Sequence, residues 1–193
     1  MRLRELLEEP SLRCRPVLLL AGNHDQPQRL RAALGRRAVV APALIRLGTW
    51  TILALESHRA GCSAGWLGSR QLAWVRQVLA AGEGPVLVVV HHPPLAIGDR
   101  GMDAIGLRDG DALLADLATT PRTRGVIFGH VHQHWEGTLP GRPGVPLLAC
   151  PSTLCGFPAV QPCPLGRDQD LGGRLLELDD DGGIRHQLLR WSD

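Results

Sequence analysis

Three histidine-bearing motifs each close an apolar run. They are Gly22-Asn23-His24-Asp25 after residues 17–21, His91-His92-Pro93-Pro94 after residues 86–90, and Gly129-His130-Val131-His132 after residues 126–128. Imidazole nitrogens and an amide oxygen are neutral ligands for first-row divalent metals. Buried strands that release such groups at their C-terminal ends are how an α/β sheet assembles a ligand site. Each motif alone has a plainer reading: the first as a polar turn, the second as a strand stopped by two prolines. Asn23 is nevertheless the only asparagine in the chain. His130 and His132, as alternate residues of an extended segment, are expected to point to one side and address neighbouring ions. Three such motifs in order, each behind a buried strand, point to a metal site.

The elements that must position them follow from hydrophobic periodicity. Leu3, Leu6 and Leu7 have helical spacing, so the chain opens on an amphipathic helix that Pro10 is expected to end. A strand over 16–21 follows, and residues 43–47 and 49–55 read as a hairpin turning at Gly48. Ser69 is a candidate N-cap for a helix through Ala81, with Leu72, Val75, Val78 and Leu79 on one face and Gly82 beyond its end. Residues 86–90 are an unbroken aliphatic run, the mark of a strand buried on both faces. A glycine-rich loop over 97–106 leads to a helix near 111–118, and residues 126–128 form the next buried strand. Further strands are expected at 134–138, 145–149, 174–178 and 184–191, the last two joined by the turn Asp179-Asp180-Asp181-Gly182-Gly183. Residues 151–170 form a loop rich in proline, cysteine and glycine. The opening helix and strand are the second half of a βαβ unit whose first strand is absent from this sequence. The expected domain is therefore a single one over 1–193, incomplete at its N-terminus.

Composition bounds the function classes. The 193 residues suit one domain, and 44% hydrophobic with 21% charged residues is ordinary for a soluble protein. The net charge is +2, and every basic residue is an arginine. These are scattered, which leaves no basic stripe for nucleic acid and no polybasic membrane patch. Five cysteines, none in a C-x-x-C pair, are expected as reduced thiols rather than a disulfide framework or a zinc ribbon. The charged N-terminus does not read as a signal peptide, and no apolar run approaches transmembrane length. A cytoplasmic location is the expectation.

The order G-N-H-D, H-H-P-P, G-H-V-H resembles the calcineurin-like metallophosphoesterase superfamily. Glu56-Ser57, Gly101-Met102-Asp103, Gly106-Leu107-Arg108 and Cys150-Pro151-Ser152-Thr153 ahead of Phe157 are similar to its branch of bacterial 3′,5′-cyclic nucleotide phosphodiesterases. That resemblance implies an α/β fold of the αββα sandwich type, two mixed sheets flanked by helices, here lacking its first strands. It implies a binuclear divalent centre, iron or manganese with zinc as an alternative. Asn23, His91 and His130 would ligate one ion and His132 the other. His24 would act beside the phosphate as the catalytic group, oriented by Asp25, with His24 and Asn23 contacting substrate. His92 would stand behind the ligands. The implied reaction is two-metal hydrolysis, a water attacking phosphorus in line with the leaving alkoxide.

This sequence departs from the family in lacking the upstream Asp-x-His and Gly-Asp motifs, which supply carboxylates to both ions. Asp25, Asp99 and Asp103 lie near motifs but at no strand end that would replace them. The implied partner is a small phosphodiester such as cAMP, with neither nucleic acid nor membrane, and homodimerisation stays open. Other phosphoesters, and a catalytically inactive binding module, are the competing readings.

Overall fold

The computed structural model describes residues 3–191. Met1 and Arg2, at the head of the expected first helix, lie outside them. The N-terminal region contains α1 (Leu3–Leu7), α2 (Pro10–Arg13), β1 (Leu18–Leu19), α3 (Pro27–Leu34) and β2 (Val39–Val40). Pro10 opens a helix here rather than ending one: it occupies the first turn of α2, where a missing N–H costs nothing. The strand expected over 16–21 forms a ladder only at Leu18–Leu19, paired in parallel with Val39–Val40. Residues 27–40, to which the sequence pattern assigned no element, supply both α3, with Pro27 in its first turn, and β2. Arg37 ties this region together, its guanidinium donating to the carbonyls of Leu7 at 3.2 Å and Arg15 at 3.1 Å.

The rest of the chain runs β3 (Ala43–Leu47), β4 (Trp50–Ala54), α4 (Gly68–Ala81), β5 (Val86–Val90), α5 (Arg100–Asp103), α6 (Gly110–Ala118), β6 (Thr123–Phe128), β7 (Trp135–Leu139), β8 (Arg142–Ala149), β9 (Leu171–Leu178) and β10 (Ile184–Trp191). Six strands form one mixed sheet in the order β3-β4-β5-β6-β8-β7. The inner four are parallel, and β3 and β7 flank them antiparallel. The hairpin turns at Gly48 as expected, with φ +57, a conformation glycine adopts without a Cβ clash.

Alternation along the strands sorts two cores. Leu53, Val86, Val88, Val90, Val126 and Phe128 face α4 and α6, where Val75, Leu113 and Leu117 are fully buried. Trp50, Ile52, Leu87, Val89 and Ile127 face the other way, against Leu18 of β1, Leu176 and Leu178 of β9 and Ile184 of β10. The sheet is thus covered by helices on one side and by strands on the other, which is the sandwich expected. The strand layer consists of two separate two-stranded ladders, β1-β2 and β9-β10.

Two local expectations give way. Ser69 makes no cap: α4 begins at Gly68, and the carboxylate of Asp109 accepts the N–H groups of Leu67 at 3.0 Å and Gly68 at 2.8 Å. A residue 41 positions away does the capping because tertiary packing delivers it there. The loop over 97–106 also carries the short α5, whose N-cap is Asp99.

Candidate metal centre

The parallel strands β4, β5, β6 and β8 share one C-terminal edge, and the Asn23 turn after β1 reaches it from the second layer. His91 stands directly after β5 at the middle of this edge. Its Nε2 lies 3.3 Å from Asn23 Oδ1 and 3.3 Å from His130 Nδ1. Glycine makes the approach feasible, since a Cβ on Gly22 would lie 2.8 Å from His91 Cε1.

Burial sets the charge state. Desolvation, reinforced by the neighbouring His92, His130, His132 and His24 rings, pushes His91 down to about 3. Desolvation followed by the other imidazoles pushes His130 down to about 4. Both rings are neutral at pH 7, so each keeps one nitrogen lone pair free for a metal, with the Asn23 oxygen and His130 Nδ1 on either side of His91 Nε2. Metal–nitrogen bonds of about 2.0–2.1 Å at tetrahedral angles put adjacent ligand atoms about 3.3–3.4 Å apart, close to the separations seen here. His130 is buried, and its other nitrogen, Nε2, finds no hydrogen-bond partner among the described residues. The donor set fits one divalent ion.

His92 completes the cluster by proximity, its ligand atom lying with those of His91 and His130 within 4.8 Å. Both of its ring nitrogens are already engaged, however. Ser57 Oγ sits 2.8 Å from Nδ1, and Nε2–H donates to the Ser63 carbonyl at 3.1 Å. His92 is fully buried, and a Cβ on Gly65 would lie 2.4 Å from its Nδ1. Its nitrogens are thus taken up by Ser57 and Ser63. Ser57 belonged to a segment that carried the resemblance, but its bond to His92 was not among what that resemblance implied.

His130 and His132 are not placed by extended-strand alternation. Both adopt left-handed backbone, φ +69 and +53, with the Val131 N–H folded back onto the Gly129 carbonyl at 2.8 Å. Such conformations cost of order 1–3 kcal/mol each and persist where surrounding structure enforces them. His132 is half-buried, with Nδ1 3.1 Å from Cys155 Sγ and its ring stacked on Phe157. Burial lowers its pKa too.

His24 and Asp25 are exposed. Asp25 Oδ2 accepts the Gly22 N–H at 2.8 Å, so it closes the 22–25 turn through the backbone, where an orienting bond to the His24 ring was expected. A cavity of about 630 Å³ opens beside His24, with Arg4 and Arg29 in its wall.

No carboxylate joins the histidine cluster among the described residues. Asp99 and Asp103 are consumed in loop construction: Asp99 caps α5, and Asp103 accepts the N–H groups of Ile97 at 2.7 Å and Gly98 at 3.2 Å. His134 and His186 are ordinary polar groups, gathered around Arg174 at 3.2 Å each. His58 makes no cluster with the ligands either, its backbone N–H donating to Glu56 at 2.9 Å.

Known proteins are similar to this chain in sequence. A probable cyclic nucleotide phosphodiesterase of Synechococcus sp. strain WH7803 is 53% identical over 89% of this chain and 66% of its own length. A second protein of that description, from another Synechococcus strain, is 39% identical over 100% of this chain and 70% of its own length. The 3′,5′-cyclic adenosine monophosphate phosphodiesterase of Pseudomonas aeruginosa is 35% identical over 92% and 64%. The chain spans about two thirds of the length of these relatives. Residues 2–134, which carry all three histidine motifs, match the calcineurin-like phosphoesterase family, and the chain belongs to that family.

Proposed function

We propose that this chain carries the histidine half of a metal-dependent phosphodiester hydrolase acting on 3′,5′-cyclic nucleotides, cAMP first among them. The observation that carries the reading is that Asn23 Oδ1 and His130 Nδ1 each lie 3.3 Å from His91 Nε2, with both rings neutral. These three would hold one ion, and His132 would contribute to a second. Iron or manganese suits the donors, with zinc as the alternative. A bound divalent ion supplies Lewis acidity there, lowering the pKa of water and offsetting charge on the phosphoryl oxygens.

The chain's own residues do the rest. His24, exposed at the mouth of the turn, is placed to hydrogen-bond a phosphoryl oxygen or to give a proton to the leaving oxygen. Asp25 holds the turn that presents it. Arg4 and Arg29 bring positive charge to the neighbouring cavity, which favours an anionic substrate. The names of the relatives support the cyclic nucleotide as substrate class. Five free thiols accord with a reducing compartment, and we assign the cytoplasm. No helix among the described residues is long and apolar enough to cross a membrane.

The test has two stages. Calorimetric titration with Mn²⁺ or Zn²⁺ should show binding that His91→Ala abolishes; binding indifferent to that change sinks the reading. Hydrolysis is then measured with cAMP, cGMP and p-nitrophenyl phosphate. The assay uses this chain loaded with the metal it binds in the titration. Preference for p-nitrophenyl phosphate over both cyclic substrates would replace the cyclic-nucleotide assignment.

A further inference from the structure

After β8 the chain folds back over the His132 segment and is stitched to it residue by residue. Ser152 Oγ accepts the N–H groups of Leu154 at 3.1 Å and Cys155 at 3.3 Å, turning the chain so that the Cys155 sulfur meets His132 Nδ1 at 3.1 Å. The Phe157 N–H donates to the His132 carbonyl at 3.0 Å, and the two rings stack with centroids 4.8 Å apart at 17°. Further along, the Val160 N–H donates to the side chain of fully buried Gln133 at 2.9 Å. Gln161 exchanges two hydrogen bonds with the backbone of Glu136, at 2.8 and 2.9 Å. Three contacts, one from Cys155 and two from Phe157, secure a histidine whose φ of +53 is unfavourable on its own.

A neutral imidazole has one proton for two nitrogens, and whichever nitrogen donates leaves the other as the ligand atom. A thiol sulfur is weak both as donor and as acceptor, but the ring N–H is a good donor and the Cys155 backbone also accepts from this ring, so the 3.1 Å contact favours the proton on Nδ1, directed at Cys155.

Resting on the reading of His132 as a metal ligand, we propose that Cys155 and Phe157 are its positioning residues. Cys155 Sγ accepts the Nδ1–H and so selects the tautomer with a free Nε2 lone pair, while Phe157 fixes the ring plane and the strained backbone. Neither touches metal or substrate. Both act through His132.

The experiment is a long-range ¹H–¹⁵N correlation spectrum of the full chain with ¹⁵N-labelled histidine, at one pH near 8. The His132 signals are assigned by their loss in His132→Gln. The wild-type protein should show His132 as the Nδ1–H tautomer. Cys155→Ala should move it toward the Nε2–H form, and Cys155→Ser, which restores an acceptor, should bring it back. Unchanged His91, His92 and His130 signals report that the fold survives each change. In a Zn²⁺ titration followed by the same signals, Cys155→Ala should weaken the His132 response about tenfold and leave those of His91 and His130 in place. An Nε2–H tautomer in the wild type, or a tautomer indifferent to Cys155→Ala, overturns the proposal. Should the tautomer depend on Cys155 while Zn²⁺ moves none of the three rings, the positioning stands and the metal-centre reading falls.

Discussion

His91 is the residue on which the candidate centre turns, because its Nε2 is the one atom within 3.3 Å of both Asn23 Oδ1 and His130 Nδ1. Replacing it by alanine removes the middle donor, and the expected loss in Zn²⁺ affinity by calorimetry is about 100-fold or more, beyond what a supporting residue costs. The adjacent His92 predicts something different. Ser57 and His92 are both fully buried and share a 2.8 Å hydrogen bond, so Ser57→Ala leaves a buried ring nitrogen without its partner. The expected cost is about 1–3 kcal/mol, read as a lower urea midpoint with an unchanged m-value. The His-His pair stood out in the sequence, and resemblance alone implied which of the two would ligate; the bonds that take up His92 come from Ser57 and Ser63, 35 and 29 positions away.

At the scale of elements, the apolar patterns marked the sheet reliably. An unbroken V-L-V-V-V leaves one structural option, and β5 is buried on both faces by α4 and α6 on one side and the strand layer on the other. Caps and ladders were less legible, since their partners come from elsewhere in the chain. Asp109, in place of Ser69, satisfies the first N–H groups of α4. Accordingly Asp109→Ala should destabilise the protein by about 1–2 kcal/mol, while Ser69→Ala, at an exposed position without a cap bond, should shift stability by less than about 0.5 kcal/mol. Paired urea melts decide between them, and equal effects would return the cap to Ser69. The left-handed His130 and His132 belong here as well. A pattern of alternate residues implies extension, and only the return of the chain through Phe157 shows why His132 is not extended.

For the whole molecule, the gathering of imidazoles makes stability depend on pH. His91, His92 and His130 are depressed from 6.5 to about 3, 4 and 4 by burial and by each other. The unfolded chain takes up protons near 6.5 and the folded chain only near 3–4, so their contribution is intact above about 6.5 and is lost as pH falls toward the folded values. The metal-free protein should therefore show a urea midpoint that declines from pH 6.5 to 4, and less steeply in His91→Ala. A midpoint flat across that window would contradict the assignment of buried neutral rings. An ion that binds only the folded chain adds about 2.7 kcal/mol at a free concentration of 100 Kd. The expected rise in Tm is about 5–10 °C, absent in His91→Ala, measured by thermal melting at pH 7.5. The sequence by itself marked the α/β class and the three histidine motifs of the family, because apolar runs and the motifs behind them are local patterns, and the ligand candidates Asn23, His91, His130 and His132 were implied by that resemblance. Tertiary structure alone decided that His92 is occupied by two serines, that Asp25 closes its turn through Gly22, that Asp109 caps α4, and that Cys155 and Phe157 grip His132. Those contacts join residues far apart in the chain, and no local period encodes them; packing the helices and the two strand ladders against one sheet does.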